Sequence, residues 1–152
     1  MTAAPGDGAK RRTQMQASSI LLPLLVQVLL TLVLYAALAF AKARALKAGQ
    51  VDLERRALHD DAWPESVMKI SNNIRNQFQL PVLFYVLVIV LWQLGESGVL
   101  VQALAWLFVG SRIVHAWIHT NSNYVPARRR VFTIGWLVLT AMSAATLSAF
   151  IT

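Results

Sequence analysis

The sequence predicts an all-α membrane protein: a bundle of four transmembrane helices in a single domain spanning residues 1–152. Three observations carry that expectation. Hydrophobic residues form 57% of the 152-residue chain and charged residues only 14%, about half the charged share of an ordinary soluble domain. A soluble domain of this size would need more polar surface to cover its core. Four stretches also meet the requirement of about 20 apolar residues for crossing a bilayer, separated by a long polar first connection and shorter later ones. Cysteine is absent, which excludes disulfides, thiolate metal ligands and a cysteine nucleophile.

The first span is expected over residues 18–41, inside an uncharged window from Thr13 to Ala41. Lys10, Arg11 and Arg12 before it resemble the basic start of a signal peptide, and Ala39-Phe40-Ala41 resembles a cleavage site. A signal core has roughly 7–15 apolar residues, and this run is longer, so it reads as a retained helix. Residues 1–13 are expected to be disordered. The second span is expected over residues 77–94, the third over 98–119 and the fourth over 131–151, the last without a single charge.

Helix two has an earlier start. Pro64 suits a first helical position, with Asp60 or Asp61 just upstream and Glu65 in the first turn. A helix from there to Leu94 would measure ~45 Å, against a bilayer core of ~30 Å. Residues 64–76 are therefore expected to project from the membrane. Pro81, read as an interior position of this helix, should free the carbonyl of Gln77 and bend the axis. The turn Gly95-Glu96-Ser97-Gly98 is tight enough to pair helices two and three as an antiparallel hairpin.

Charge sets the expected orientation. Eleven of the 14 basic residues fall at loops one and three, from Lys42 to Arg75 and at Arg112 and Arg128–Arg130. The positive-inside rule then puts those loops in the cytoplasm and both termini outside, as in a cell (inner) membrane. Read this way, the net charge of +7 is a topology signal rather than a nucleic-acid footprint, and membrane lipids are the expected surroundings.

Polar residues are concentrated at one end of two helices. Asn72, Arg75, Asn76 and Gln79 fall at i, i+3, i+4 and i+7, one helical face. Arg112, His115, His119 and Asn123 follow at i, i+3, i+7 and i+11 in helix three. An ionisable group at the depth of Arg112 costs a few kcal/mol unless it pairs, snorkels or lines a cavity. A solvated helix end accounts for the helix-two face as well as a binding face does, while the three polar residues in register with Arg112 favour a shared, inward-facing cavity. His115 and His119 have a metal-ligand spacing, yet the chain has only one further histidine and no acid near them, so no metal is expected. The donors on offer, with Arg128, Arg129 and Arg130 at the mouth, suit an anionic or carboxylate-rich ligand. A lipophilic small molecule could reach the same place sideways from the bilayer. No span contains Asp or Glu, which weakens an ion-coupled transporter reading.

The run from Asn72 to Tyr85, with Arg75, Asn76, Gln79 and Pro81, resembles the helix-two signature of the MAPEG superfamily, the membrane-associated proteins of eicosanoid and glutathione metabolism. Ser111 to His119, followed by Asn123, Tyr124 and Arg128, is similar to its helix-three segment, and the bacterial branch fits best. The resemblance implies a homotrimer with glutathione as co-substrate between subunits, and a transferase or peroxidase activity on lipophilic electrophiles. It implies that Asn72, Arg75, Asn76 and Gln79 hold the peptide. Arg112, His115 and His119 would line the wall, Asn123 and Tyr124 would add ligand contacts, and Arg128 would stabilise the thiolate, with Arg128 and Arg112 the expected catalytic residues. Gln79 stands where the bacterial branch carries Glu, and His115 and His119 stand where tyrosines are expected. A non-catalytic lipid-binding or scaffold protein of the same fold is the alternative reading.

Overall fold

In the computed structural model of the protein, residues 19–151 are described; the disorder expected over residues 1–13 and the start of span one at residue 18 lie outside the described residues. Five α-helices follow in order: α1 (Leu21–Lys47), α2 (Glu65–Gln77), α3 (Leu80–Gln93), α4 (Val99–Thr120) and α5 (Val125–Ile151). Helices α2 and α3 together form one span, so four helical stretches are long and apolar enough to cross a membrane.

Several boundaries differ from expectation. α1 runs six residues past Ala41 to Lys47, because Lys42 and Arg44 keep their charged ends in water while their backbone stays helical. α5 starts at Val125 rather than Val131. Pro126 fits its first turn, where no N–H is needed, and Arg128, Arg129 and Arg130 are thereby helical. Pro64 precedes α2 instead of entering it: its ψ of 155° is extended and its side chain makes no cap hydrogen bond.

The largest correction concerns Pro81. Helix two is not bent around that residue; it stops after Gln77 and restarts at Leu80, with Gln79 at φ −104° and ψ −100° between the halves. Pro81 occupies the first turn of α3, where its missing N–H would have no helical partner anyway. The predicted orphan carbonyl is replaced by a full interruption.

α1 packs on α2, α3 and α4, while α5 packs mainly on α4 and then on α3. One apolar core joins α3, α4 and α5, with Phe84 and Phe108 stacked at 4.4 Å between centroids. A smaller cluster of Leu34, Ile74 and Ala116 joins α1, α2 and α4 nearer loop one. Gly135 lets α5 approach α4 closely, since a Cβ there would lie 3.1 Å from Ser111 Oγ. Much of α1 faces outward with exposed Leu25, Leu29, Leu32 and Val33. It is the least buried span.

A buried amide ladder joins three of these helices. Gln27 Nε2 donates to Gln77 Oε1 at 2.8 Å, Gln77 Nε2 to Asn73 Oδ1 at 3.2 Å, and Asn73 Nδ2 to the Ala116 carbonyl at 3.3 Å. All three side chains are buried. In an apolar surround each amide needs a partner, so the ladder fixes the depth and rotation of α2 relative to α1 and α4.

Loop one is laced to the helices. Arg55 pairs with Asp61 at 2.8 Å, Asp60 pairs with Arg75, and Lys42 sits 4.7 Å above the Trp63 ring. The hydrogen bond from Arg55 holds the Asp61 carboxyl below its usual range. That clasp is therefore intact at neutral pH and weakens as pH falls through the lowered value.

The connection from α4 to α5 turns at Asn123, at φ +51°, a left-handed conformation that Asn tolerates better than most residues. Its N–H donates to the Ile118 carbonyl at 2.7 Å, and its Oδ1 accepts from Arg128 Nη1 at 2.5 Å.

Two outcomes follow. Gln77→Leu strands buried amides of Gln27 and Asn73 and should cost about 1–2 kcal/mol in a reversible detergent-unfolding assay; an unchanged midpoint contradicts the ladder. Asn123→Ala should be less stable than Asn123→Gly by about 1 kcal/mol, and equal stabilities would show that the turn does not need its left-handed residue.

Candidate functional site

The interruption of helix two lies beside the start of α5. Asn76 and Gln79 at the break, His115 of α4 and Arg128, Arg129 and Phe132 of α5 line an open cavity of about 290 Å³. The break itself turns Gln79 out of a regular helical position, and the Asn123 bond holds Arg128 over the cavity. Asn76, Gln79, His115, Arg128 and Arg129 can each donate a hydrogen bond, Val125 and Phe132 add apolar wall, and among the described residues no carboxylate lines it.

Behind this wall lies Arg112, with 0% of its surface exposed. It does not snorkel. Its Nη2 lies 3.5 Å from His115 Nδ1, the long end of a hydrogen bond, and its guanidinium carbon lies 5.8 Å from the Phe132 ring centre. A guanidinium only donates, so in any hydrogen bond across this contact Nδ1 of His115 is the acceptor. Arg112 thus lies against a histidine that lines the cavity. Among the described residues, Gln27 Oε1 at the head of the amide ladder, Arg112 Nε and Nη1, and His119 Nδ1 are buried without a hydrogen-bond partner. Buried donors left this way cost about 1–3 kcal/mol each, more when charged.

The residues singled out from sequence fall into three groups. Asn76, Gln79, His115 and Arg128 come together on the cavity. Arg112 and His119 are buried behind it, with the rings of His115 and His119 5.6 Å apart. Asn72, Arg75 and Tyr124 are elsewhere. Arg75 is exposed and held by Asp60 and by Asn72 Oδ1 at 3.4 Å. Asn72 lines a separate cavity under loop one, and Tyr124 is exposed. Asn123 reaches the site only through Arg128. Because the break at Gln79 ends the α2 helix, the four helix-two residues do not share one continuous face.

Phe132 is a wall residue that spacing alone did not indicate; its position one turn after Arg128 on the same helix was the available signal. The next turns of α3 and α5 line a separate, largely apolar groove of about 210 Å³, with Leu80, Leu83, Val86, Leu87 and Trp136 and the hydroxyls of Thr140 and Ser143. Among the described residues no group of three or more His, Cys, Asp or Glu side chains gathers at one place.

No curated protein and no solved structure gives a significant match to the chain. A protein-family model does: the MAPEG family matches residues 20–148, from the first turn before α1 to near the end of α5. With four membrane-spanning helices and a match along nearly its whole length, the chain belongs to the MAPEG family.

Proposed function

We propose that the protein is a glutathione-dependent transferase or peroxidase acting on lipophilic electrophiles, including lipid hydroperoxides. One observation carries the reading: a donor-rich cavity with Asn76, Gln79, His115 and Arg128 and a largely apolar groove between α3 and α5 are lined by successive stretches of the same chain segments, Gln79 then Leu80 and Phe132 then Trp136. A peptide with two carboxylates and a thiol suits the first part. A membrane-dissolved co-substrate suits the second. Family membership supports a glutathione- or eicosanoid-related role in the membrane in general terms.

In this proposal Asn76, Gln79 and Arg129 hold the peptide, and Arg128 lies beside its sulfur. A free thiol has a pKa of about 8.5, and an adjacent cation favours the thiolate at neutral pH. The thiolate attacks an electrophilic carbon as its leaving group departs or its ring opens, or attacks a hydroperoxide oxygen as the O–O bond breaks and the alcohol leaves. A second glutathione then converts the resulting sulfenic acid to disulfide and water. Catalysis is supplied mainly by orientation and thiolate stabilisation. Arg112 acts through His115, as a positioning residue. Loops one and three face the cytoplasm by their basic charge, which brings the cavity to the side where glutathione is plentiful. The exposed apolar side of α1 is the expected contact in a homotrimer.

The alternative is a lipid-binding or scaffold member of the fold without turnover. Gln79 favours it: an amide cannot form the ion pair that a carboxylate would make with the peptide's amino group. Glutathione at about a hundred times its Kd should stabilise the detergent-purified protein by ~2–3 kcal/mol. No thermal shift at millimolar glutathione favours the alternative. Arg128→Ala should lower conjugation about tenfold or more, a transition-state loss of ~1.4 kcal/mol, and Arg112→Ala should do the same by releasing His115. Wild-type rates in both variants would refute these roles.

A further inference from the structure

A second cavity, of about 180 Å³, lies under loop one, away from the donor-lined cavity of α3 and α5. Lys42, Arg56, His59, Ser71 and Asn72 bring cations and hydrogen-bond donors to it, and Trp63 forms one side. Its single carboxylate, on Asp60, is engaged by Arg75. Among the described residues neither Lys42 nor Arg56 forms an ion pair. Positive charge in the cavity is therefore not balanced by the protein's own acids.

The walls are fixed in place. Trp63 Nε1 donates to the Arg56 carbonyl at 3.3 Å, and its ring lies 4.7 Å from Lys42 Nζ. Val67 and Met68 of α2 add an apolar side. Lys42 is the first charge after the uncharged run from Thr13 to Ala41, which sets it where α1 leaves the hydrocarbon. A tryptophan beside a lysine at that level is the usual composition of a bilayer interface. Sites for drug-sized ligands measure ~300–1,000 Å³, so this cavity has headgroup rather than acyl-chain dimensions.

We propose that the loop-one cavity binds the phosphate group of an anionic phospholipid, with Lys42, Arg56 and His59 donating to its oxygens. Cations and amide donors together match a phosphodiester, and the depth of Lys42 places that phosphate at headgroup level with its chains directed into the bilayer. Ser71 and Asn72 are available to the glycerol or other headgroup hydroxyls. Anionic lipid attracts each such cation near the surface independently of any glutathione chemistry.

The test uses the full chain in neutral detergent at fixed ionic strength, following the thermal midpoint. The ligands are dihexanoyl phosphatidylglycerol, dihexanoyl phosphatidylcholine and inorganic phosphate. Phosphatidylglycerol should raise the midpoint saturably, and phosphatidylcholine should do so more weakly. Lys42→Gln with Arg56→Gln should weaken the phosphatidylglycerol response about tenfold or more. Arg44→Gln removes an exposed cation of the same helix and should leave the response intact, and Lys42→Arg should retain it. An equal response to inorganic phosphate would overturn the lipid source in favour of a soluble phosphate. A flat response, equal responses to both lipids, or an equal loss in Arg44→Gln would overturn the site.

Discussion

A guanidinium is sealed inside a membrane bundle whose apolar stretches carry no acid. Among the described residues Arg112 has no carboxylate partner and lies against His115 Nδ1 and the face of Phe132. Charge at such depth is costly unless polar groups or a ligand surround it. That constraint explains why one end of the bundle is polar. His115 and His119 meet edge to face on the same helix, and the break in helix two brings Asn76 and Gln79 alongside His115.

The break is the second half of the same arrangement. A helix inside hydrocarbon must satisfy its backbone internally, and an interruption is tolerated only where protein or water meets the freed groups. Here it falls at the boundary where the amphipathic α2 gives way to the apolar α3. Below the break the amide ladder locks α2 to α1 and α4, and above it Phe84 anchors α3 on Phe108. Each half of the span is thus held by its own contacts, and the irregular residues between them are free to face a cavity.

The four spans were legible because long apolar runs leave the chain no other stable solution in lipid. The family was legible from the run around Asn76, Gln79 and Pro81, and the family-model match agrees. The interruption was harder to read, since Pro81 serves equally well as a kink inside one helix or as the opening turn of the next. Burial of Arg112 was one of two alternatives, because snorkelling depends on which neighbours stand in the way. The Gln27–Gln77 bond joins residues fifty apart, and no local pattern encodes a pairing of that kind. Gln27 showed only as a lone amide in an uncharged span. Asn72 and Arg75 illustrate the opposite error. Periodicity placed them with Asn76 and Gln79, but loop one captured both through Asp60 and its own cavity.

The central claim is that the donor-lined cavity holds glutathione with its sulfur beside a cation. Ultraviolet absorbance of the thiolate on mixing the protein with glutathione at near-neutral pH reads this directly. The account predicts a thiolate signal stoichiometric with the protein, at a pH well below the thiol's free pKa of about 8.5. Glutathione that binds with its thiol still protonated, or gives no more thiolate than in buffer alone, would contradict it.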